Sequence, residues 1–173
     1  MERSQDQIVN KVSSSSLITI DLEQYFQPGE RVMLDIKDQL FQGLILKEKD
    51  FRDFSKKHDW TKYQDKFVAI HCSVDVIVPT WAYMLLAIAL QPYAQLIIFG
   101  TLEELEVAIF RESLAKVDWS KFKDAKVVIK GCSKVNVPVA IYVEATNNLK
   151  RYASSMMFGE PCSTVPLFKK VKV

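Results

Sequence analysis

Short apolar runs separated by polar turn segments fill the middle of the chain. Two of these runs, Lys66–Ile70 and Lys126–Ile129, are rich in β-branched residues, which is typical of strands buried on both faces of a sheet. Further strands are predicted near Leu40–Leu46 and Gln95–Phe99. The pattern therefore indicates a sheet built from several short strands.

A segment with helical spacing of apolar residues follows the predicted strand at Gln95–Phe99. Residues 102–117 carry apolar side chains at Leu102, Leu105 and Ile109, three to four positions apart. Thr101 precedes them and Glu104 follows three positions later, which is the spacing of a capping box. The segment is predicted to be a helix that begins directly after Thr101.

The chain matches itself when it is shifted by 59 residues. The segment from Phe51 to Tyr83 aligns without a gap with the segment from Phe110 to Tyr142, and 13 of the 33 positions are identical. Each copy contains a polar Asp-Trp turn, a β-branched run, a segment that ends in Val-Pro and then a predicted apolar helix. We interpret the match as an internal duplication of one helix–strand–helix unit.

Repeated units of this kind favour an α/β fold in which internally duplicated helix–strand–helix units form a mainly parallel sheet covered by helices. An α+β fold with some antiparallel pairing is the alternative. Residues 1–16 are polar and end in four serines, so we expect a disordered N-terminal tail. We expect residues 17–173 to form a single α/β domain with repeats at about 43–100 and 102–160.

The longest uncharged stretch runs from Val76 to Thr101 and has the length of a membrane span. Pro79, Pro92 and Gln95 interrupt it, so a buried helix followed by a buried strand is the preferred interpretation. The start of the chain lacks the apolar core of a signal peptide. We therefore expect a cytoplasmic protein that does not contact membranes.

Charge adds little to this picture. The net charge is +2, and the one basic cluster is formed by Lys169, Lys170 and Lys172 near the C-terminus. Such a cluster is usually a solvated end, which argues against nucleic-acid binding. The three cysteines are an odd number, and in a reducing compartment they are expected to be free thiols or metal ligands.

Each cysteine is followed by serine, with a Val-Pro pair a few residues later. Cys72 and Cys132 directly follow the repeated strand, and loops at the carboxyl ends of parallel strands line the ligand crevice of α/β sheets. Cys162 lies in a Gly-Glu-Pro-Cys-Ser loop, and His71 precedes Cys72. Thiolates and imidazole suit zinc or an iron–sulfur cluster. The candidate metal ligands are therefore His71, Cys72, Cys132 and Cys162.

The sequence supports a structural role for the cysteines about as well as it supports metal binding. In the gap-free alignment Cys72 falls on Gly131 and Cys132 on Ser73, so the two thiols are one position out of register. No Cys-x-x-Cys pair is present, and a free cysteine often fills a core as a small apolar residue. Catalytic roles are supported less well, although Asp75 and Glu160 are candidates to orient ligands or act as a general base.

Five segments resemble the bacterial family of unknown function DUF2480. They are LFQGLILKEKDFRDF, IVPTWAYMLLAIALQPYAQ, FGTLEELEVAIFRE, VVIKGCSKVNVP and FGEPCSTVP, and the resemblance extends from about Leu17 to Lys169. The resemblance implies no assigned activity. Members of this family lie near genes for iron–sulfur cluster assembly, which implies iron–sulfur assembly proteins as partners and favours a metal or sulfur role for the cysteines.

Three functions are consistent with the sequence. The favoured one is a metal- or iron–sulfur-binding accessory protein that uses clustered Cys and His at the carboxyl edge of the sheet. The first alternative is a metal-free scaffold or homodimer with structural cysteines, in which part of Val76–Phe99 forms the interface. The second is a thiol-dependent enzyme that uses Cys132 or Cys162, so whether the protein is an enzyme stays open.

Overall fold

Seven short strands and four helices form the regular structure in the computed structural model, which describes residues 17–131, 134–160 and 163–171. The strands are β1 (Leu17–Ile20), β2 (Arg31–Asp35), β3 (Phe67–His71), β4 (Leu96–Phe99), β5 (Lys126–Ile129), β6 (Ser155–Glu160) and β7 (Ser163–Lys169). The helices are α1 (Glu48–Lys57), α2 (Thr80–Leu90), α3 (Leu102–Leu114) and α4 (Val139–Lys150). The α/β fold class is confirmed.

The strands form two sheets, whereas the sequence predicted one. One sheet has the order β2-β3-β4 and is parallel throughout. The other has the order β1-β5-β6-β7, in which only the β6–β7 pair is antiparallel. The described residues correspondingly divide into two compact units, residues 27–113 (unit 2) and residues 17–26 with 114–171 (unit 1).

In unit 2, helices cover both faces of the sheet. Val68 and Ile70 of β3 point to one face, where they pack in a buried cluster with Phe51 of α1 and Leu86 of α2. Residues on the other face of β3 pack against Leu105 and Ile109 of α3. Since successive side chains of a strand point to opposite faces, the four buried residues of β3, Phe67–Ile70, must all be apolar, as the sequence pattern indicated.

In unit 1, the central strand β5 is also buried on both faces. Val127, Val128 and Ile129 are at most 1% exposed. Helix α4 buries a stripe of residues four positions apart, Ile141, Ala145 and Leu149. The buried residues of β5 are therefore apolar for the same reason as those of β3, because both faces of the strand are buried.

Paired features of the two units recur 59 residues apart. The 3-10 helices Trp60–Tyr63 and Trp119–Phe122 each begin after an aspartate whose side chain accepts a hydrogen bond from the second residue of the turn. Asp65 and Asp124 both have positive φ angles, of 59° and 56°. These matches support the internal duplication, which itself stays a prediction, as do the single domain and its repeat bounds.

The strand expected near Leu40–Leu46 is wrong. Phe41 and Ile45 instead form an isolated antiparallel bridge around a tight turn. Gln42 and Gly43 at the turn have φ angles of 52° and 70°, a left-handed conformation that reverses the chain and prevents an extended strand. The predicted tail, residues 1–16, lies outside the described residues.

Candidate functional site

Polar side chains collect at the carboxyl ends of the parallel strands in both units. In unit 2, Asp35 ends β2 and lies opposite His71, which ends β3. The Asp35 carboxylate accepts hydrogen bonds from the backbone N–H groups of Lys37 (3.0 Å) and Ser73 (3.1 Å). Burial raises the pKa of Asp35, but a hydrogen bond with the Ser73 side chain, the two backbone hydrogen bonds and the charge of Lys37 outweigh it and hold the pKa below its usual value.

Cys72 is a half-buried free thiol at this edge. Its Sγ donates to the carbonyl of Val74 over 3.6 Å, and its side chain packs against the buried cluster under α2. Burial, followed by electrostatic interactions with Cys72 and Asp35, raises the pKa of Tyr83. Cys72 therefore combines the packing role of a small apolar residue with a position at the polar edge.

His71 is close enough to Glu104 for their charges to interact. Hydrogen bonds from the backbone and side chain of Thr101 lower the pKa of Glu104 most, and His71 adds a smaller effect. The Thr101 N–H lies 2.7 Å from Glu104 Oε2, and the Glu104 N–H lies 3.2 Å from the Thr101 hydroxyl, so the predicted capping box is confirmed. Glu104 therefore serves the start of α3.

No metal centre forms at this edge from the described side chains alone. Nowhere in residues 17–131, 134–160 and 163–171 do three or more His, Cys, Asp or Glu side chains form a group able to hold a metal ion. Cys132 and Cys162 lie outside these ranges. Convergence of His71, Cys72, Cys132 and Cys162 on one ion therefore stays a prediction.

Unit 1 carries a charged network at its own carboxyl edge. Lys130 follows β5, and its Nζ lies 2.8 Å from Asp21 Oδ2 and 3.8 Å from Glu23 Oε2. The hydrogen bond with Asp21 is the main reason why the pKa of Lys130 is raised, and the charge of Glu160 adds to it. Sequence reasoning missed this network, although Lys130 aligns with His71 and thus marks the same position after the strand.

Glu23 also holds the chain that follows Cys132–Ser133. Its Oε1 accepts hydrogen bonds from the backbone N–H groups of Lys134 and Val135, the latter over 2.8 Å. On the other side, Gly131 lies against β6, since a Cβ at Gly131 would come within 3.3 Å of the Gly159 Cα. Both described neighbours of Cys132–Ser133 are therefore fixed at the carboxyl edge of this sheet.

The neighbours of Pro161–Cys162 lie at the same place. Glu160 ends β6 and pairs with Ser163, which begins β7. Gly159 approaches β7 so closely that a Cβ there would lie 2.5 Å from the Ser163 carbonyl oxygen. One oxygen of the Glu160 carboxylate, Oε1, is buried and has no hydrogen-bond partner. The flanks of Cys132 and Cys162 thus meet along β6.

The sequence matches one family model over almost its whole length. Residues 6–170 match the family described as "Protein of unknown function (DUF2480)". The chain belongs to the DUF2480 family. This confirms the family resemblance carried by the five segments. No curated protein and no solved structure matches the chain.

Membership in DUF2480 brings no reaction or ligand with it, so chemistry has to be argued from the residues at the two edges. The uncharged stretch forms a helix and a strand as expected, α2 and β4. The expected burial is only partial, since α2 is buried on one side and no residue of β4 is fully buried. No helix within the described part of this DUF2480 chain combines the length and the apolar character that crossing a membrane would need.

Proposed function

We propose that this DUF2480 protein is a cytoplasmic accessory protein that binds a zinc ion or an iron–sulfur cluster through Cys132 and Cys162. The observation that carries the proposal is the meeting of their flanking residues: Gly131 lies against Gly159, and Glu160 pairs with Ser163. If the thiols of Cys132 and Cys162 follow their flanking residues to this edge, they provide the first two ligands of a soft-metal site.

The surroundings of this edge suit such a centre. The buried Glu160 Oε1 has no hydrogen-bond partner, and leaving a carboxylate oxygen buried and unpaired is costly. A metal ligated by this oxygen would remove the cost, since zinc accepts carboxylate as well as thiolate ligands. Glu160 therefore joins Cys132 and Cys162 as a candidate ligand or as a residue that orients them.

His71 and Cys72 complete the ligand set predicted from sequence, and they lie at the corresponding edge of unit 2. Their membership in the same centre is separable by experiment from that of Cys132 and Cys162. Cys72 is the natural comparison, because it also follows a central strand and its thiol already donates to Val74.

The test is the metal content and absorption spectrum of protein purified without air. We expect about one zinc ion or one cluster per chain. The C132S and C162S variants should each lose it while they keep the far-ultraviolet circular dichroism of the parent. Absence of metal from the parent protein, with the cysteines intact and reduced, would overturn the proposal.

The C72S variant decides how many residues take part. Retention of the metal in C72S would assign the centre to unit 1 alone, with Cys132 and Cys162 as its thiolates. Loss of the metal in C72S as well as in C132S would support the larger set that includes Cys72. Equal retention of metal in all three variants would contradict cysteine ligation altogether.

The proposed partners are proteins of iron–sulfur cluster assembly. The candidate thiolate ligands Cys132 and Cys162 support this assignment over a metal-free role. Cluster transfer provides the test: a cluster loaded on an assembly scaffold should move to the parent chain and not to C132S, as followed by the visible absorption of each protein after separation. Equal transfer to both would reject a role for Cys132 in acceptance.

A further inference from the structure

Strand β4 lies at one edge of the three-stranded sheet of unit 2. Within the described part of the chain, β4 pairs only with β3. The Gly100 N–H donates to the Ile70 carbonyl of β3. Because successive N–H groups of a strand alternate in direction, those of Ile97 and Phe99 point away from β3. One row of strand hydrogen-bonding groups is therefore open.

This edge has none of the usual features that keep sheet edges apart. All four residues of β4 are apolar, the pairing with β3 has no bulge, and Phe99 is 66% exposed. Natural edge strands are usually protected by charges, prolines or bulges. At the opposite edge of the same sheet, β2 carries Arg31 at one end and Asp35 at the other.

The corresponding strand of unit 1 shows how such an edge is closed. β6 follows β4 by 59 residues and also carries a phenylalanine that packs edge-on against a tyrosine of the preceding helix, Phe158 with Tyr142, as Phe99 packs with Tyr83. The outer edge of β6 is covered by β7, which pairs with it in antiparallel direction. In unit 2, no strand of the described part of the chain pairs with the outer edge of β4.

A groove beside β4 has room for the side chains of an added strand. It measures about 530 Å³, and its lining consists of Ile98 and Phe99 of β4 and Glu103, Glu104, Val107, Ala108 and Arg111 of α3. On the other side of the sheet, α2 packs next to β4 and exposes Met84 (61%) and Ile88 (71%). An added strand would therefore meet apolar side chains of α2 on one side and a mixed apolar and charged lining on the other.

We propose that β4 pairs in antiparallel direction with β4 of a second copy of this chain, about a twofold axis, so that two three-stranded sheets become one of six strands. A twofold axis turns one edge strand into an antiparallel pair without any further segment. This inference is independent of the proposed metal centre.

Charge supports a second copy as the occupant. No residue from Val76 to Gly100 carries a charge, so β4 and α2 do not repel the same elements of a second copy. The charged residues of the adjoining groove, Glu103, Glu104 and Arg111, include both signs. Glu103 and Glu104 lie just past the carboxyl end of β4. In an antiparallel pair of β4 strands, Glu103 and Glu104 of one copy lie at the opposite end of the interface from Glu103 and Glu104 of the other copy. In a parallel pair they would lie side by side and repel each other.

A stable dimer interface has to bury more surface than the four residues of β4 provide. A stable interface buries about 800 Å² on each partner, which four paired residues do not supply. The apolar side chains around β4 have to contribute, above all Phe99, with Tyr83 4.9 Å from it between ring centres. Replacing Phe99 by a charged residue should therefore weaken the dimer without affecting the core, since the Phe99 side chain is mostly exposed.

The first test compares F99K with L44K by light scattering and sedimentation at micromolar concentration. Leu44 is 63% exposed and lies on a turn of the same unit, so it controls for an added lysine on an exposed apolar site. The parent and L44K should be dimers, and F99K should dissociate at least tenfold more readily. A monomeric parent, or a dimer that F99K leaves unchanged, overturns the proposal.

Amide hydrogen exchange of the parent protein keeps the proposal testable even if F99K fails to fold. The N–H groups of Ile97 and Phe99 should be protected in the dimer and should lose protection on dilution to the monomer. A dimer in which both exchange freely uses another surface and rules out β4 pairing. Protection that appears only when another protein is added would replace the second copy by that protein.

Discussion

His58 lies among aromatic side chains at the end of α1. Its ring centre is 4.8 Å from that of Phe54, 4.5 Å from that of Trp60 and 6.0 Å from that of Tyr63, whose hydroxyl lies 3.5 Å from His58 Nε2. These contacts indicate a structural role for His58. The apolar surroundings favour the neutral ring.

The free energy of unfolding should fall as the pH drops below about 6.5, because the pKa of His58 is lowered in the folded protein. Burial lowers this pKa most and the charge of Lys62 adds to the effect, whereas the charge of Asp59 opposes it to a smaller extent. A lowered folded pKa means that the unfolded chain binds the proton first. The stabilising contribution is thus complete above pH 6.5 and is lost as the pH falls through the folded pKa. Urea unfolding on both sides of pH 6.5 should show a loss that H58F reduces; the same pH dependence in both proteins would contradict this.

Gly159 holds a backbone conformation that other residues rarely adopt. Its φ is 124°, and a Cβ there would lie 2.5 Å from the Ser163 carbonyl oxygen. G159A should therefore lower the free energy of unfolding by about 2–3 kcal/mol. Gly43 is the control, since its φ of 70° is left-handed but the space around it is open, so that G43A should cost about 1 kcal/mol. Equal losses in thermal or urea unfolding would show that β7 does not press on Gly159.

Among the elements, α2 is apolar around its whole circumference, yet only one side is buried. Leu86 is fully buried between the sheet and α1, whereas Met84 on the opposite side is 61% exposed. L86A should cost about 2–5 kcal/mol of unfolding free energy in urea titrations, because it leaves a cavity. M84A should cost under about 1 kcal/mol in the monomer. A large loss for M84A would mean that this side of α2 is covered.

Local signals predicted the elements whose burial is complete. β3 and β5 were predicted because strands buried on both faces read as unbroken apolar runs, and α3 because Thr101 and Glu104 cap it. Those signals depend only on neighbouring residues. β4 was predicted because its residues are apolar and bounded by turn residues, although none of them is fully buried.

The edge strands β1 and β2 could not be predicted in the same way. β2 pairs with β3, which begins 36 residues after β2 begins, and β1 pairs with β5, which lies beyond the whole of unit 2. Such pairing is decided by long-range packing rather than by local propensity. β1 also lay outside the aligned repeat, so the repeat gave no indication of it.

At the scale of the whole molecule, the two units share a plan at their carboxyl edges. In unit 2, Asp35 at the end of β2 lies opposite His71 at the end of the neighbouring strand β3. In unit 1, Asp21 directly after β1 forms an ion pair with Lys130 directly after the neighbouring strand β5. The sequence indicated the edge from the positions of the cysteines. It could not indicate Asp21 or Glu23, because their partners lie over 100 residues away along the chain.

The rate at which each cysteine is alkylated, followed peptide by peptide by mass spectrometry with and without a chelator, tests metal ligation most directly. Bound thiolates react slowly until the metal is removed. Cys132 and Cys162 should therefore be protected in the protein as purified without air and should react together once the metal is chelated. Equal rates for Cys132 and Cys162 before and after chelation would contradict a metal centre at this edge.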